Sequence, residues 1–300
     1  MMLSRRDLIQ TFATTPIAIT ARSAMAKSNA GRKAQWVSRN GLVDGNPQSY
    51  FNFGTFDEAP QAWTAHNAGY PYSCELSDDF KKLRLELHAG DQWKDDAVTG
   101  VTVERTMVQA MIDIGSNTSR SLPLSTDVWW GFSFLIEPGS PITSLGAGYS
   151  WLIFADIHSD YRASHAHAVP IQFELLPDDF FAIEAHGSNL FPNNAPNYVY
   201  QSTRPIRRGV WHDVVTRINM DPANRSGFAG ADVYLDGRQV LGYSGPIGFF
   251  GDLPYPQYQI YRDNPSPYSI PHEALAIRYA NHEVVTRTSL KARISKPPRV

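Results

Sequence analysis

The sequence has almost no cysteine, modest charge and no helical period. One cysteine, Cys74, in 300 residues excludes an internal disulfide framework. Charged residues make up 19% and the formal net charge is −2, so no concentrated basic surface of the kind nucleic acid requires is present. No apolar run approaches the roughly 20 residues that span a bilayer. Internal repeats and low-complexity tracts are missing, and helical spacing of apolar residues is weak throughout. What is present is 42% hydrophobic residues and 12% aromatics, enough for one large core in a chain of this length. Twenty-one prolines and 21 glycines punctuate it often, which suits many short strands better than a few long helices. Cys74 is expected to be a buried small apolar residue.

The first residues carry an address. Ser4-Arg5-Arg6-Asp7-Leu8-Ile9 places paired arginines before a modestly apolar run from Thr11 to Ala21, and Ala24-Met25-Ala26 has the small-x-small form of a signal-peptidase site. This resembles a twin-arginine export signal over residues 1–26, with Lys27 as the mature N-terminus and a periplasmic or secreted destination. Residues 27–300 read as a single domain.

From Ser38 onward, strand-length runs alternate with turn residues. Strands are expected over Leu83–His88, Thr102–Ile112, Trp129–Ile136, Trp151–His158, Ile171–Leu176, Phe181–His186, His212–Ile218, Ala231–Leu235 and Gln257–Arg262. Asp236-Gly237 between two such runs signals a tight hairpin turn. Short helices are expected at Asp57–Ala65 and Ile270–Ala276. Many short antiparallel strands bury their apolar faces as two packed layers or as a closed barrel, and the expected fold class is all-β, a sandwich of the jelly-roll (concanavalin-like) kind that the resemblance below implies, with a concave groove for a linear polymer. Most of the seven tryptophans, Trp129 and Trp211 among them, are expected to pack structurally.

Three segments in fixed order sharpen this. Trp211-His212-Asp213, then Tyr234-Leu235-Asp236-Gly237-Arg238, then Gln257-Tyr258-Gln259-Ile260-Tyr261-Arg262 resemble the C-terminal half of the heparin lyase I family. Leu83 to Asp91 and Trp130-Gly131-Phe132-Ser133 extend the likeness upstream. The wider jelly-roll lyases, including those acting on alginate and glucuronan, share the expected fold and its three active-site strands. The resemblance implies a polysaccharide lyase acting on a uronate by β-elimination.

Such chemistry needs a cationic or amide group on the carboxylate, a base for the C5 proton and an acid for the departing oxygen. The family patterns R-x-E-x-R, Q-I-H and K-x-G-x-Y imply Arg105, His158 and Tyr261 as the catalytic residues, with Gln109, Asp156, Gln257 and Gln259 binding substrate. Asp156 stands where the pattern has Gln, Gln257 where it has Lys, and Met107 and Gln109 replace an acid and an arginine. An ionised Asp156 would repel a uronate unless it is protonated, pairs with Arg105 or orients His158. Arg105 has a plainer alternative, pairing with Glu104 or Glu86. Fewer cations point to a less charged glycan than heparin.

Two other classes remain open. A sandwich hydrolase needs two carboxylates across the scissile bond, and Glu174 and Glu184 are the best pair available. A non-catalytic glycan-binding protein would use the same residues as contacts. No cofactor is expected. Structural calcium is the one ion considered, at Asp95-Asp96 or Asp178-Asp179, while His165-Ala166-His167 reads as a solvated loop rather than a metal site. The expected partner is an acidic polysaccharide, with no nucleic acid, no membrane span after signal cleavage, and a monomeric state.

Overall fold

A computed structural model describes residues 36–38, 51–93, 103–110, 121–141, 152–160, 169–187, 198–251, 253–263 and 274–300. The export signal, Asp95-Asp96 and His165-Ala166-His167 lie outside the described residues. Sixteen strands, one short α-helix and a 3-10 turn at Pro177–Asp179 are found among the described residues. The strands are β1 (Trp36–Ser38), β2 (Phe51–Phe56), β3 (Ala59–His66), β4 (Cys74–Ser77), β5 (Lys82–Leu87), β6 (Val103–Ala110), β7 (Asp127–Ile136) and β8 (Leu152–Asp160). They continue as β9 (Ile171–Leu176), β10 (Phe180–Ala185), β11 (Tyr198–Pro205), β12 (His212–Asn219), β13 (Gly230–Leu235), β14 (Arg238–Ser244), β15 (Leu253–Asp263) and β16 (Leu275–Val285), with helix α1 at Lys291–Ser295. The all-β expectation holds.

The strands pair in the order β11-β10-β9-β8-β15-β6-β3-β2-β16-β7-β12-β13-β14, with β5, β4 and β1 branching from β16. This path folds back on itself as a sandwich, because residues far apart along it touch. Phe134 of β7 packs on Phe154 of β8 with ring centroids 4.8 Å apart, and Trp130 of β7 lies 5.9 Å from Tyr258 of β15. The Tyr279 hydroxyl of β16 donates to the carbonyls of Phe154 (2.8 Å) and Gln259 (3.1 Å), tying the two layers together. Trp63, Phe132, Phe154, Phe173, Tyr258 and Tyr279 are fully buried between them, and Cys74 is buried as expected.

The helix expected over Asp57–Ala65 is strand β3 instead. Asp57 (φ 45°) and Glu58 (φ 68°) make the tight turn from β2. Trp63 and Ala65 then face the core at a spacing of two, paired with Phe51, Ala110 and Val108, so tertiary burial overrides a weak local preference. The described part of the second expected helix begins β16. The hairpin reading is met at Asp236 (φ 50°) and Gly237 (φ 79°), both left-handed as a primed turn requires.

Trp129, expected to be structural, is buried, and Trp211 is half-buried. Trp129 packs with Val215, Val285 and Leu290, and the Lys82 ammonium sits 5.8 Å over the Trp211 ring. His212 and Asp213 also serve architecture. His212 Nδ1 meets Asp236 Oδ2 at 2.8 Å, fixing the β13–β14 turn, while Asp213 accepts from Ser133 (2.8 Å) and from Arg293 of α1 (2.7 Å).

Candidate functional site

Strand register decides which side chains can meet, because residues paired across strands share a face and alternate residues oppose it. Tyr258, Val108, Ala155 and Phe173 turn inward, so their neighbours turn outward. Two polar rows result. One runs Thr64, Gln109, Gln257, Asp156, Gln172, Glu184 across β3, β6, β15, β8, β9 and β10. The other runs Arg105, Tyr261, Ile153, Glu174, with Met107 and Gln259 paired between the rows. All seven residues singled out from the sequence lie on this one face.

Arg105 and Tyr261 are cross-strand partners, and the guanidinium carbon sits 5.0 Å from the phenol centroid. It also lies 5.2 Å over the Trp93 ring. The plainer pairing of Arg105 is not adopted. Glu104 instead holds Arg262 at 2.6 Å inside the protein, and Glu86 engages Arg84 and His88. Arg105 is thus partly exposed and held between two aromatic rings.

His158 is placed elsewhere. Its cross-strand partner is Tyr255, on which its ring stacks at 5.5 Å, and Nδ1 accepts from its neighbour's amide, Ser159 N, at 2.8 Å. Tyr255 is six residues before Tyr261 along β15, roughly 20 Å at the ordinary strand rise. The structure sets Arg105 and Tyr261 side by side and His158 apart from them, because β8 presents Ile153 opposite Tyr261.

The middle of the face holds one carboxyl among amides. Burial pushes the Asp156 carboxyl well above its ordinary range, outweighing the Gln259 amide, which donates to Oδ2 at 2.5 Å, and the attraction of Arg105. The shift disfavours the ionised form that would repel a uronate. Asp156 Oδ1 and Gln257 Oε1 are both buried and without a hydrogen-bond partner, on cross-strand neighbours. Gln257 donates to Met107 Sδ at 3.3 Å, and Gln109 is half-buried beside it.

Glu174 and Glu184 are brought together, but on each other. The Gln172 amide donates to both carboxylates, at 2.5 Å to Glu174, and the Tyr198 hydroxyl donates to Glu174 at 3.2 Å. His186 Nε2 meets Glu184 at 3.1 Å. Burial and the neighbouring Glu184 raise Glu174 to about 8. Glycosidase carboxyls stand about 5 Å or more apart with a sugar between them. Clamped by one amide and only 2% and 4% exposed, this pair does not straddle a bond.

A stability prediction follows from the sign of that shift. The folded state keeps the Glu174 proton where the unfolded chain, near 4.5, has lost it. Its contribution is complete below the unfolded value, declines as pH rises and is lost through about 8. Urea unfolding at pH 5 and pH 9 is expected to show Glu174→Gln losing less stability across the interval than wild type. An equal loss in both proteins would place the titration elsewhere.

Sequence reading missed two members of the face. Trp93 follows a turn, and His66 stands just past the helix expected over 57–65. Read as a strand, 59–66 puts Thr64 and His66 outward, opposite Gln109 and Met107, and the His66 ring meets Trp93 edge-on at 4.9 Å. Asp179 is bound by Arg208 at 2.7 Å and 2.8 Å, the charged-turn alternative to calcium. No group of three or more His, Cys, Asp or Glu suited to a metal occurs among the described residues. No helix among them is long and apolar enough to cross a membrane.

No family model matches this sequence, and no curated protein matches it. Among solved structures it is similar to an endo-β-1,4-glucuronan lyase from the fungus Trichoderma reesei, at 12% identity and TM-score 0.49, over 84% of this chain and 95% of that one. An alginate lyase from Corynebacterium sp. is similar at 11% identity and TM-score 0.49, over 84% and 93%. Alginate lyase AlgAT5 from polysaccharide lyase family 7 is similar at 13% and 0.48, over 72% and 82%.

Proposed function

We propose that this protein is an exported polysaccharide lyase that cleaves a uronate-containing glycan by β-elimination. The observation carrying this reading is the Arg105–Tyr261 pair, 5.0 Å apart on a face whose central carboxyl, Asp156, is shifted upward by burial. A guanidinium beside a phenol suits a sugar that bears a carboxylate next to a removable proton. Arg105 binds the carboxylate and stabilises the charge that develops on it as C5 loses its proton. Tyr261, one strand away, gives a proton to the glycosidic oxygen leaving C4. The C5–H and C4–O bonds break, a C4=C5 double bond forms, and the new chain end is an unsaturated uronate.

The remaining groups bind rather than react. Asp156 with Gln257, Gln259 and Gln109 supplies hydrogen bonds to the sugar. His158, stacked on Tyr255, contacts the polymer further along. With one guanidinium at the centre, a lightly charged polyuronate or mixed exopolysaccharide fits better than a heavily sulfated one. Incubating the mature protein with a panel of uronate polysaccharides is expected to raise the ultraviolet absorbance of the 4,5-unsaturated product. New reducing ends without that absorbance would identify a hydrolase, and binding without cleavage a glycan-binding protein. Either result ends the lyase reading.

A further inference from the structure

Strand β6 pairs with β15 on one side, where Tyr261 flanks Arg105, and with β3 on the other. Strand β3 ends at His66, opposite Met107, and the segment after β5 follows it alongside β6. There the Arg105 amide donates to the Asp91 carbonyl at 3.0 Å, and two residues on, the Trp93 ring carries the Arg105 guanidinium at 5.2 Å. The flank of Arg105 away from Tyr261 is therefore built by the turn that holds Asp91.

Three rings are stacked on that turn. Tyr72 lies flat on His88, with centroids 4.1 Å apart and planes 11° from parallel, and Tyr70 lies flat on Tyr72 at 5.3 Å and 11°. The Tyr72 hydroxyl donates to both oxygens of the buried Asp91 carboxylate, at 3.2 Å and 3.1 Å. His88 Nε2 meets Glu86 at 2.7 Å. Two rings of the stack are thus fixed from behind, and the third, Tyr70, is 49% exposed. Phe80, Phe228 and Phe250 are exposed too, but each stands without a stacked ring among the described residues, as scattered surface apolar side chains commonly do.

We infer that Tyr70, backed by Tyr72 and His88, is a stacking platform for a pyranose of the polymer beyond the sugar held on Arg105, a binding site that rests on the reading of this face as a glycan groove. The C–H face of a pyranose is apolar, and an aromatic ring covers it without needing a charge. A ring already held in a stack gives up less freedom on binding than a lone exposed side chain does. The acids beside the stack, Asp91 and Glu86, are engaged by Tyr72 and His88, and they offer a uronate carboxylate no counter-charge. The platform therefore grips a sugar by its shape, and a neutral pyranose suits it at least as well as a uronate.

Affinity gels cast with alginate or with polyglucuronate test this, run on the full chain carrying Tyr261→Phe so that the polymer stays intact. Adding Tyr70→Ala is expected to weaken retardation about 3- to 10-fold with the melting temperature unchanged, and adding Tyr70→Phe, which keeps the ring, to leave it as it was. The loss should persist at high salt, because stacking is not screened as an ion pair is. Tyr70→Ala binding as tightly as its parent overturns the platform, and so does a loss that Tyr70→Phe shares or that salt abolishes. Each of these leaves the lyase reading intact. Retardation of a protein whose wild type releases no unsaturated product ends the lyase reading and leaves the platform standing. No retardation in either gel overturns the platform together with the glycan groove.

Discussion

Arg105→Ala and Tyr261→Phe are each expected to reduce formation of the unsaturated product by about 10²- to 10⁴-fold while leaving the protein folded. The expectation rests on position. Both side chains are partly exposed, on the face turned away from the core, so neither supports the packing of Trp63, Phe154 and Tyr258 behind them. The two losses should differ in kind. Without Arg105 the substrate carboxylate loses its counter-charge in both ground and transition states, so KM rises as kcat falls. Tyr261→Phe keeps the ring beneath the guanidinium and removes only the hydroxyl, so kcat falls with little change in KM. Steady-state absorbance kinetics read both. Undiminished turnover in Tyr261→Phe would remove the phenol from the chemistry.

Behind that pair lies a second one whose loss should unfold the protein. Arg262 and Glu104 are cross-strand partners at the next position along β15 and β6, and they point inward. The guanidinium meets the carboxylate at 2.6 Å with the side chains 6% and 1% exposed. Removing one member of a buried ion pair strands the other charge in a medium that cannot solvate it, at a cost of about 3–5 kcal/mol. Glu104→Ala is therefore expected to lower the melting temperature by on the order of 10 °C. Replacing both residues with apolar ones, as in Glu104→Leu with Arg262→Met, should restore much of that loss. A single variant that melts with wild type would show the pair to be dispensable. The pair also bears on the site, since a slip of one residue between β6 and β15 would carry Arg105 and Tyr261 to the core side. Glu104→Ala is accordingly expected to lose turnover at temperatures below its melting transition.

The all-β architecture was legible in the sequence because its signal is local. Alternation in Leu83–His88, the glycine at 237 after Asp236 and the spread of proline and glycine each act over a few residues, and each met its structural counterpart. The shared face of Arg105, Gln109, Asp156, His158, Gln257, Gln259 and Tyr261 was legible for the same reason, since side chains alternate at every step of a strand. Local signals failed at 57–65, where long-range burial of Trp63 decides between helix and strand and the sequence carries no record of what packs there.

Position along the face belonged to the tertiary structure alone. Motif order placed His158 with Tyr261, yet register sets Ile153 opposite that phenol and His158 opposite Tyr255. Register is fixed by bulges and buried pairs such as Glu104 with Arg262, contacts 158 residues apart in the chain. The upward shift of the Asp156 carboxyl arises likewise, from desolvation that exists only once the layers close. The sequence by itself determined which residue types the face would hold. Folding decided which of them stand within reach of one sugar, because that depends on pairing between segments that do not meet until the sheet is built.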